Sequence, residues 1–135
     1  MLAQTHLKVK RQRTDFHHQT ALALVRENDT ISHEDVPTAN LRRNHHLAKS
    51  IQDAGWSHFL SILSFKAACA GRRVVAVPPA STSQKCSGGG RLVSRGLSVR
   101  WHQCPYEDCG ASLHRDHNAA KNIERLGQRL RGAVA

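Results

Sequence analysis

The chain has 135 residues, a length suited to one domain, and its 39% hydrophobic content predicts a modest core. Twenty basic against ten acidic side chains give a formal charge of +10 and a pI near 10.4. That balance favours a polyanionic partner through attraction and counterion release, with nucleic acid foremost and anionic membrane a weaker fit. No apolar run approaches the roughly 20 residues that cross a bilayer, and the first residues lack a signal-peptide stretch, so we expect a cytoplasmic protein with no membrane partner.

Residues 5 to 28 predict a helix, free of Gly and Pro, with Phe16, Thr20, Ala23 and Leu24 sharing one face. Lys8, Lys10, Arg11 and Arg13 crowd its first half, either lining a nucleic-acid groove or simply solvated. Arg42, Arg43 and Arg115 extend this candidate nucleic-acid-binding set. Fourteen of the twenty cations are Arg, whose planar fork matches phosphate oxygens two at a time.

Asn28-Asp29 ends the helix, and residues 30–36 read as a short strand closed by Pro37. Alternation sends Glu34 and Asp35 to opposite faces, so one can overlook a cleft at the strand's carboxyl end while the other is solvated. Residues 41–46 predict a loop before a helix around Leu47, Ile51 and Ala54. His45 and His46, neighbours about 100° apart on a helix, do not converge on one ion and suit solvent or phosphate.

Phe59, Leu60, Leu63 and Ala67 recur at helical spacing, with Ser57 a candidate N-cap and Gly71 just past the end. Cys69, on the last turn, reads as a small buried residue or a distant ligand. A buried strand over residues 73–77 follows, stopped by Pro78-Pro79.

From Ser81 the composition turns to Gly, Ser, Cys and Arg, which builds no apolar core and invites a metal staple. In a reducing compartment the cysteines are thiols or ligands rather than disulfides. Cys86, Cys104 and Cys109 are the candidate zinc ligands. A zinc ribbon sets two close Cys pairs on tight turns, because thiolates must converge tetrahedrally. Gly89 stands where a second Cys would complete Cys-x-x-Cys, and four residues separate Cys104 from Cys109. The fourth ligand would come from His102, His114, Cys69 or water. Without metal, the segment would rest on strand-like pairing of Leu92-Val93 with residues 97–101, marginal in water.

The last segment predicts a helix with Asp116 or Asn118 near its start, Ala119, Ala120, Ile123 and Leu126 inward, and Gly127 as its stop. Asp116 is either an N-cap or a metal-binding carboxylate kept ionised by the helix dipole, which Glu34 could join.

Several pieces together resemble the carboxyl-terminal half of the TnpB/OrfB insertion-sequence transposases, a family with a RuvC-like nuclease domain, similar to type V CRISPR effectors. These are His-Glu-Asp at 33–35, residues 49–56, Gly71-Arg72-Arg73-Val74-Val75, Thr82-Ser83-Gln84-Lys85-Cys86-Ser87-Gly88 and Arg115-Asp116-His117-Asn118-Ala119-Ala120.

The resemblance implies an α/β, partial RuvC-like (RNase H-like) fold with an inserted zinc-ribbon-like hairpin. Its expected parts are residues 1–80, a ribbon at 81–112 and a closing segment at 113–135. It implies that Glu34 and Asp116 are the second and third acids of a centre holding divalent magnesium, with Cys86, Cys104 and Cys109 on zinc. The family's first catalytic aspartate has no counterpart here, nor do the parts that hold guide RNA. The expectation is therefore a shortened transposon-encoded DNA-binding protein that does not cut alone, or that works with a complementary amino-terminal fragment. A small zinc-ribbon nucleic-acid module regulating transposition is the other expectation.

Overall fold

A computed structural model of the chain describes residues 1–35, 55–96 and 98–133. The expectations for Pro37, Arg42, Arg43, His45, His46 and the helix around Leu47, Ile51 and Ala54 lie outside these residues. In chain order the elements are α1 (Leu2–Glu27), β1 (Thr30–Glu34), α2 (Trp56–Cys69), β2 (Arg73–Val77), β3 (Trp101–Gln103), β4 (Ser112–His114) and α3 (Arg115–Ala133). The chain divides into two compact units: Met1–Ile31 with Pro37–Val74, and Ser32–Val36 with Val75–Ala135.

The first unit is a pair of helices with an apolar seam. Ala21 and Val25 of α1 are buried against Ile62, Leu63 and Ala67 of α2, with Leu24, Ile31, Phe59, Leu60 and Val74 around them. The four-residue spacing of 17, 21 and 25 makes one stripe, and Ala21 is small enough to let the helices approach. The expected inward face is thus one residue out of place: Phe16 is 65% exposed, and His17 is buried instead, its ring edge-on to Phe59 at 5.5 Å.

Helix α2 begins on Gly55 rather than on a Ser57 cap. Gly55 sits at φ 61°, and a Cβ there would come within 3.1 Å of the His17 ring. Gly71 closes the helix as expected, left-handed at φ 67°, so that the Gly71 and Arg72 N–H groups donate back to Ala68 and Ala67 carbonyls at 3.2 and 2.8 Å. Cys69 is exposed, contrary to expectation, because the last turn has rotated it off the apolar seam.

Strands β1 and β2 pair, with Arg73 N–H donating to the Asp29 carbonyl at 3.0 Å and Asp35 N–H to the Val77 carbonyl at 2.8 Å. Start therefore meets start and end meets end, the arrangement of parallel strands, which requires a long crossover such as the one containing α2. Strand β1 stops at Glu34, and β2 is only partly buried, with Val77 fully enclosed.

In the second unit β3 and β4 pair antiparallel, Trp101 opposite His114, His102 opposite Leu113 and Gln103 opposite Ser112. Leu92 bridges to Lys85, not to the described residues 98–101 of the expected pairing, whose position 97 lies outside the described residues. Those partners win because the turn at Cys109 returns the chain directly alongside residues 101–103. The described part of α3 runs on to Ala133, through Gly127 rather than stopping there. Gly127 faces inward, and a Cβ on it would lie 2.7 Å from Ser32 Cβ, closer than real side chains tolerate. Ala has the better intrinsic helix propensity by about 1 kcal/mol. Gly127→Ala should nevertheless lower stability by about 1–2 kcal/mol in chemical denaturation, because the overlap cannot relax without moving backbone.

Candidate metal centre

Cys86, Cys104 and Cys109 each present a sulfur, and the three sulfurs lie within 4.8 Å of one another. Short turns put them there. Gly90, left-handed at φ 71°, turns the chain so that its N–H donates to the Cys86 carbonyl at 2.8 Å, while Cys86 N–H donates to the Arg91 carbonyl at 2.9 Å. On the other side Cys104 N–H donates to the Ala111 carbonyl at 2.8 Å, Cys109 N–H to the Tyr106 carbonyl at 3.0 Å, and Gly110 takes φ 58°. Arg91 joins the turns, its guanidinium forking onto both Asp108 oxygens at 3.2 and 3.1 Å and lying 4.5 Å from the Tyr106 ring centre.

The glycines of this turn differ in what they permit. A Cβ on Gly88 would sit 2.8 Å from Cys109 Sγ, so the turn closes only with Gly there. A Cβ on Gly89 would meet the same sulfur at 3.5 Å, an ordinary contact. Position 89 therefore still faces the thiols although it carries no ligand.

Burial disfavours a charged Cys86, yet the Gly89 backbone, the His102 ring, the Gly88 backbone and the Cys109 thiol together outweigh it, lowering its pKa from 9.0 to about 6. Cys104 moves the other way: a backbone contact from Tyr106 favours its thiolate, but burial and the neighbouring Cys109 and Cys86 sulfurs prevail and raise its pKa. One thiolate in a crowd of sulfurs resists a second, and a soft divalent cation relieves that repulsion.

Helix α3 holds the stretch of chain leading into Cys86 by its amide side chains. Asn118, 0% exposed, accepts from Ser87 N–H at 2.8 Å and donates to the Lys85 carbonyl at 2.7 Å. Asn122 donates to the Thr82 and Lys85 carbonyls at 2.9 and 2.7 Å, and Arg125 to the Ser87 carbonyl at 2.8 Å. The buried face of α3 is therefore amide-lined, with Ala119, Ile123 and Leu126 half-buried beside it and Ala120 exposed. A search for apolar faces misses these amides, although the four-residue spacing of Asn118 and Asn122 is their signal.

Glu34 is half-buried and accepts from the buried Thr82 hydroxyl at 2.9 Å. Asp116 lies in the first turn of α3 with its side chain 78% exposed, 3.7 Å from His114 Nδ1. Among the described residues no hydrogen bond or ion pair joins Glu34 to Asp116. Lys8, Lys10, Arg11 and Arg13 are exposed on α1, whereas Arg115 is half-buried and donates to the Gly96 carbonyl at 3.4 Å. Asp35 is exposed.

The site is thus a three-thiol cluster on two short turns, clamped to a helix with an acidic first turn, in a mixed α/β chain. Residues 56–123 match the family described as Cas12f1-like, TNB domain, and the chain belongs to that family. A Streptomyces pristinaespiralis protein, provisionally named RNA-guided DNA endonuclease, is 40% identical over 129 residues, covering 93% of this chain and 31% of that protein. InsQ of Escherichia coli (strain K12), provisionally named likewise, is 30% identical over 138 residues, covering 90% of this chain and 34% of its own length. The chain thus spans about a third of the length of these curated relatives. The cryo-EM structure of a Cas12f1–sgRNA–target DNA complex shares the fold, with TM-score 0.63 and 22% identity over 87% of this chain and 35% of that one. The partial RuvC-like α/β expectation agrees with this likeness. No helix among the described residues is long and apolar enough to cross a membrane.

In reduced, metal-free protein, ultraviolet thiolate absorbance should show a first step near pH 6, from Cys86, well below the ordinary thiol value of 9.0. With its folded pKa depressed, Cys86 contributes stability above its unfolded value that is lost as pH falls through about 6. Cys104, raised, works oppositely and is stabilising below its unfolded value. Asn118→Asp removes the donor to the Lys85 carbonyl from a buried site, and urea unfolding should show a loss of about 2–3 kcal/mol.

Proposed function

We propose that this chain is a nucleic-acid-binding protein of the transposon-encoded, RNA-guided endonuclease type that its relatives' names describe, and that it does not cut DNA by itself. In this reading zinc at Cys86, Cys104 and Cys109 is structural, and Glu34 and Asp116 are two carboxylates for magnesium. The observation that carries it is the convergence of three thiols in a unit whose α3 also bears Asp116, within a chain of this family.

The donor set fits zinc: soft sulfurs at short mutual distance, one of them already inclined to ionise. When bound, zinc would supply a cross-link between the two turns and no chemistry of its own. Magnesium is different. Among the described residues the only cluster of three or more ligand-type side chains is the cysteine one, so Glu34 and Asp116 do not form a complete hard-cation site. In this proposal the remaining ligands come from outside this chain, for instance a complementary amino-terminal fragment, with DNA and a guide RNA as partners in the cytoplasm.

Binding would rest on charge. Lys8, Lys10, Arg11 and Arg13 lie exposed on α1, and the chain's net charge of +10 supports attraction to phosphates. The exposure of Asp116, whose one ion-pair neighbour among the described residues is a histidine, supports the second reading, a ribbon module that occupies nucleic acid and regulates transposition without cleavage.

Gel-shift and cleavage assays with single- and double-stranded DNA and magnesium test the proposal. Expected are binding that weakens with salt and no cleavage, with binding unchanged in Glu34→Ala and Asp116→Ala. Replacing Lys8, Lys10, Arg11 and Arg13 by Ala should lessen the log–log salt slope by about 0.9 for each phosphate no longer neutralised. Cleavage by the parent chain that disappears in both carboxylate variants would overturn the inactive reading and indicate a retained nuclease.

A further inference from the structure

Trp101 opens β3 with 54% of its surface in water, although the one polar atom of the indole is already satisfied: Nε1 donates to the Ser112 hydroxyl at 2.8 Å. Strand alternation explains where the ring lies. β3 runs exposed, buried, exposed and β4 exposed, half-buried, exposed, so the cross-strand pairs Trp101–His114 and Gln103–Ser112 share the outer face of the hairpin. Ser112 stands diagonally from Trp101, a separation that a large aromatic side chain spans. The indole therefore reaches along this face, and the His114 ring meets it near the perpendicular, at 83° and 6.4 Å between centres. Bonded at its nitrogen and braced by a second ring, it is held in place while much of its apolar surface stays uncovered.

Cations surround it. Arg95 and Arg115 line one small cleft with Trp101, and exposed Arg100 precedes it in the chain. Arg95 donates to the Gln103 carbonyl and Arg115 to the Gly96 carbonyl, which holds both guanidinium groups beside the hairpin.

We infer that the outer face of the β3–β4 hairpin binds an unpaired nucleobase, with Trp101 as the stacking platform and the flanking arginines on the adjoining phosphates. This deepens the nucleic-acid reading above and rests on it. An aromatic ring stacks only on a base whose own face is uncovered, and in a duplex neighbouring bases occupy those faces. Stacking on indole tolerates any base, while Gln103 on the same face offers an amide to a base edge. A protein partner fits less well. The residues beside the indole, Gln103, Ser112 and His114, are polar rather than aliphatic, and an apolar docking surface would strip water from them without replacing its hydrogen bonds. The hairpin thus differs from the α1 cations, which attract phosphates of any strand, in sensing whether bases are paired.

The full chain carries two tryptophans, so Trp56→Phe leaves Trp101 as the sole indole reporter. Its fluorescence is followed at low salt while a mixed-sequence DNA strand is added, alone or annealed to its complement, and affinities are measured in parallel by anisotropy of end-labelled DNA. We expect the single strand to quench Trp101 and the duplex to leave it nearly unchanged. Trp101→Ala should bind the single strand about tenfold more weakly and the duplex within about twofold of the parent chain. Trp101→Phe, which keeps a stacking ring, should bind the single strand within about threefold of the parent.

Single-strand binding with Trp101 fluorescence unmoved overturns the stacking site and leaves the nucleic-acid reading standing. Equal losses for both forms of DNA in Trp101→Ala overturn it as well, because the ring would then serve only the fold. Failure of the parent chain to bind either form at low salt overturns the nucleic-acid reading itself. The quenching measurement alters nothing at Trp101, so it decides the assignment even if Trp101→Ala fails to fold.

Discussion

Two asparagine amides on α3 hold the second unit together. Asn118 and Asn122 turn polar groups inward, which is costly unless every donor and acceptor finds a partner. Here the partners are main-chain groups of Thr82, Lys85 and Ser87. Binding to backbone rather than side chains fixes the course of a segment too poor in apolar residues to be fixed by packing. Cys86 emerges from that segment already aimed at the other two sulfurs.

The units therefore cohere by different physics. The first rests on an apolar seam between α1 and α2, where Ala21, Leu63 and Ala67 exclude water. The second has few buried apolar side chains, Val77, Cys86 and Val93 among them, and leans on hydrogen bonds, glycine turns and the Arg91–Asp108 fork. Small units with so little apolar interior commonly draw their remaining stability from a metal cross-link.

Helix periodicity makes α1 and α2 legible, but not which residue faces inward. Phe16 is larger and more apolar than His17, and residue character alone assigns it to the core. The four-residue stripe through Ala21 and Val25 overrides that preference. On α3 a hydrophobic pattern cannot see an amide face at all, so it places Ala120 inward and makes Gly127 a stop. The close approach to Ser32 is a tertiary fact with no local signature. Cysteine spacing does reveal the thiol cluster, because short turns determine where their sulfurs go. The pairing of β3 with β4 stays hidden, since three-residue strands carry too little alternation to specify a register. Glu34 and Asp116 stand out by resemblance; spacing alone leaves each with an ordinary structural explanation.

The segment that α3 clamps has sulfur at one end and, at the other, the Thr82 hydroxyl resting on Glu34. From Thr82 to Cys86 is at most roughly 14 Å of extended chain. The cysteine turn and the carboxylate of Glu34 are thus anchored to opposite ends of one short stretch of backbone, whose course the α3 amides set for both.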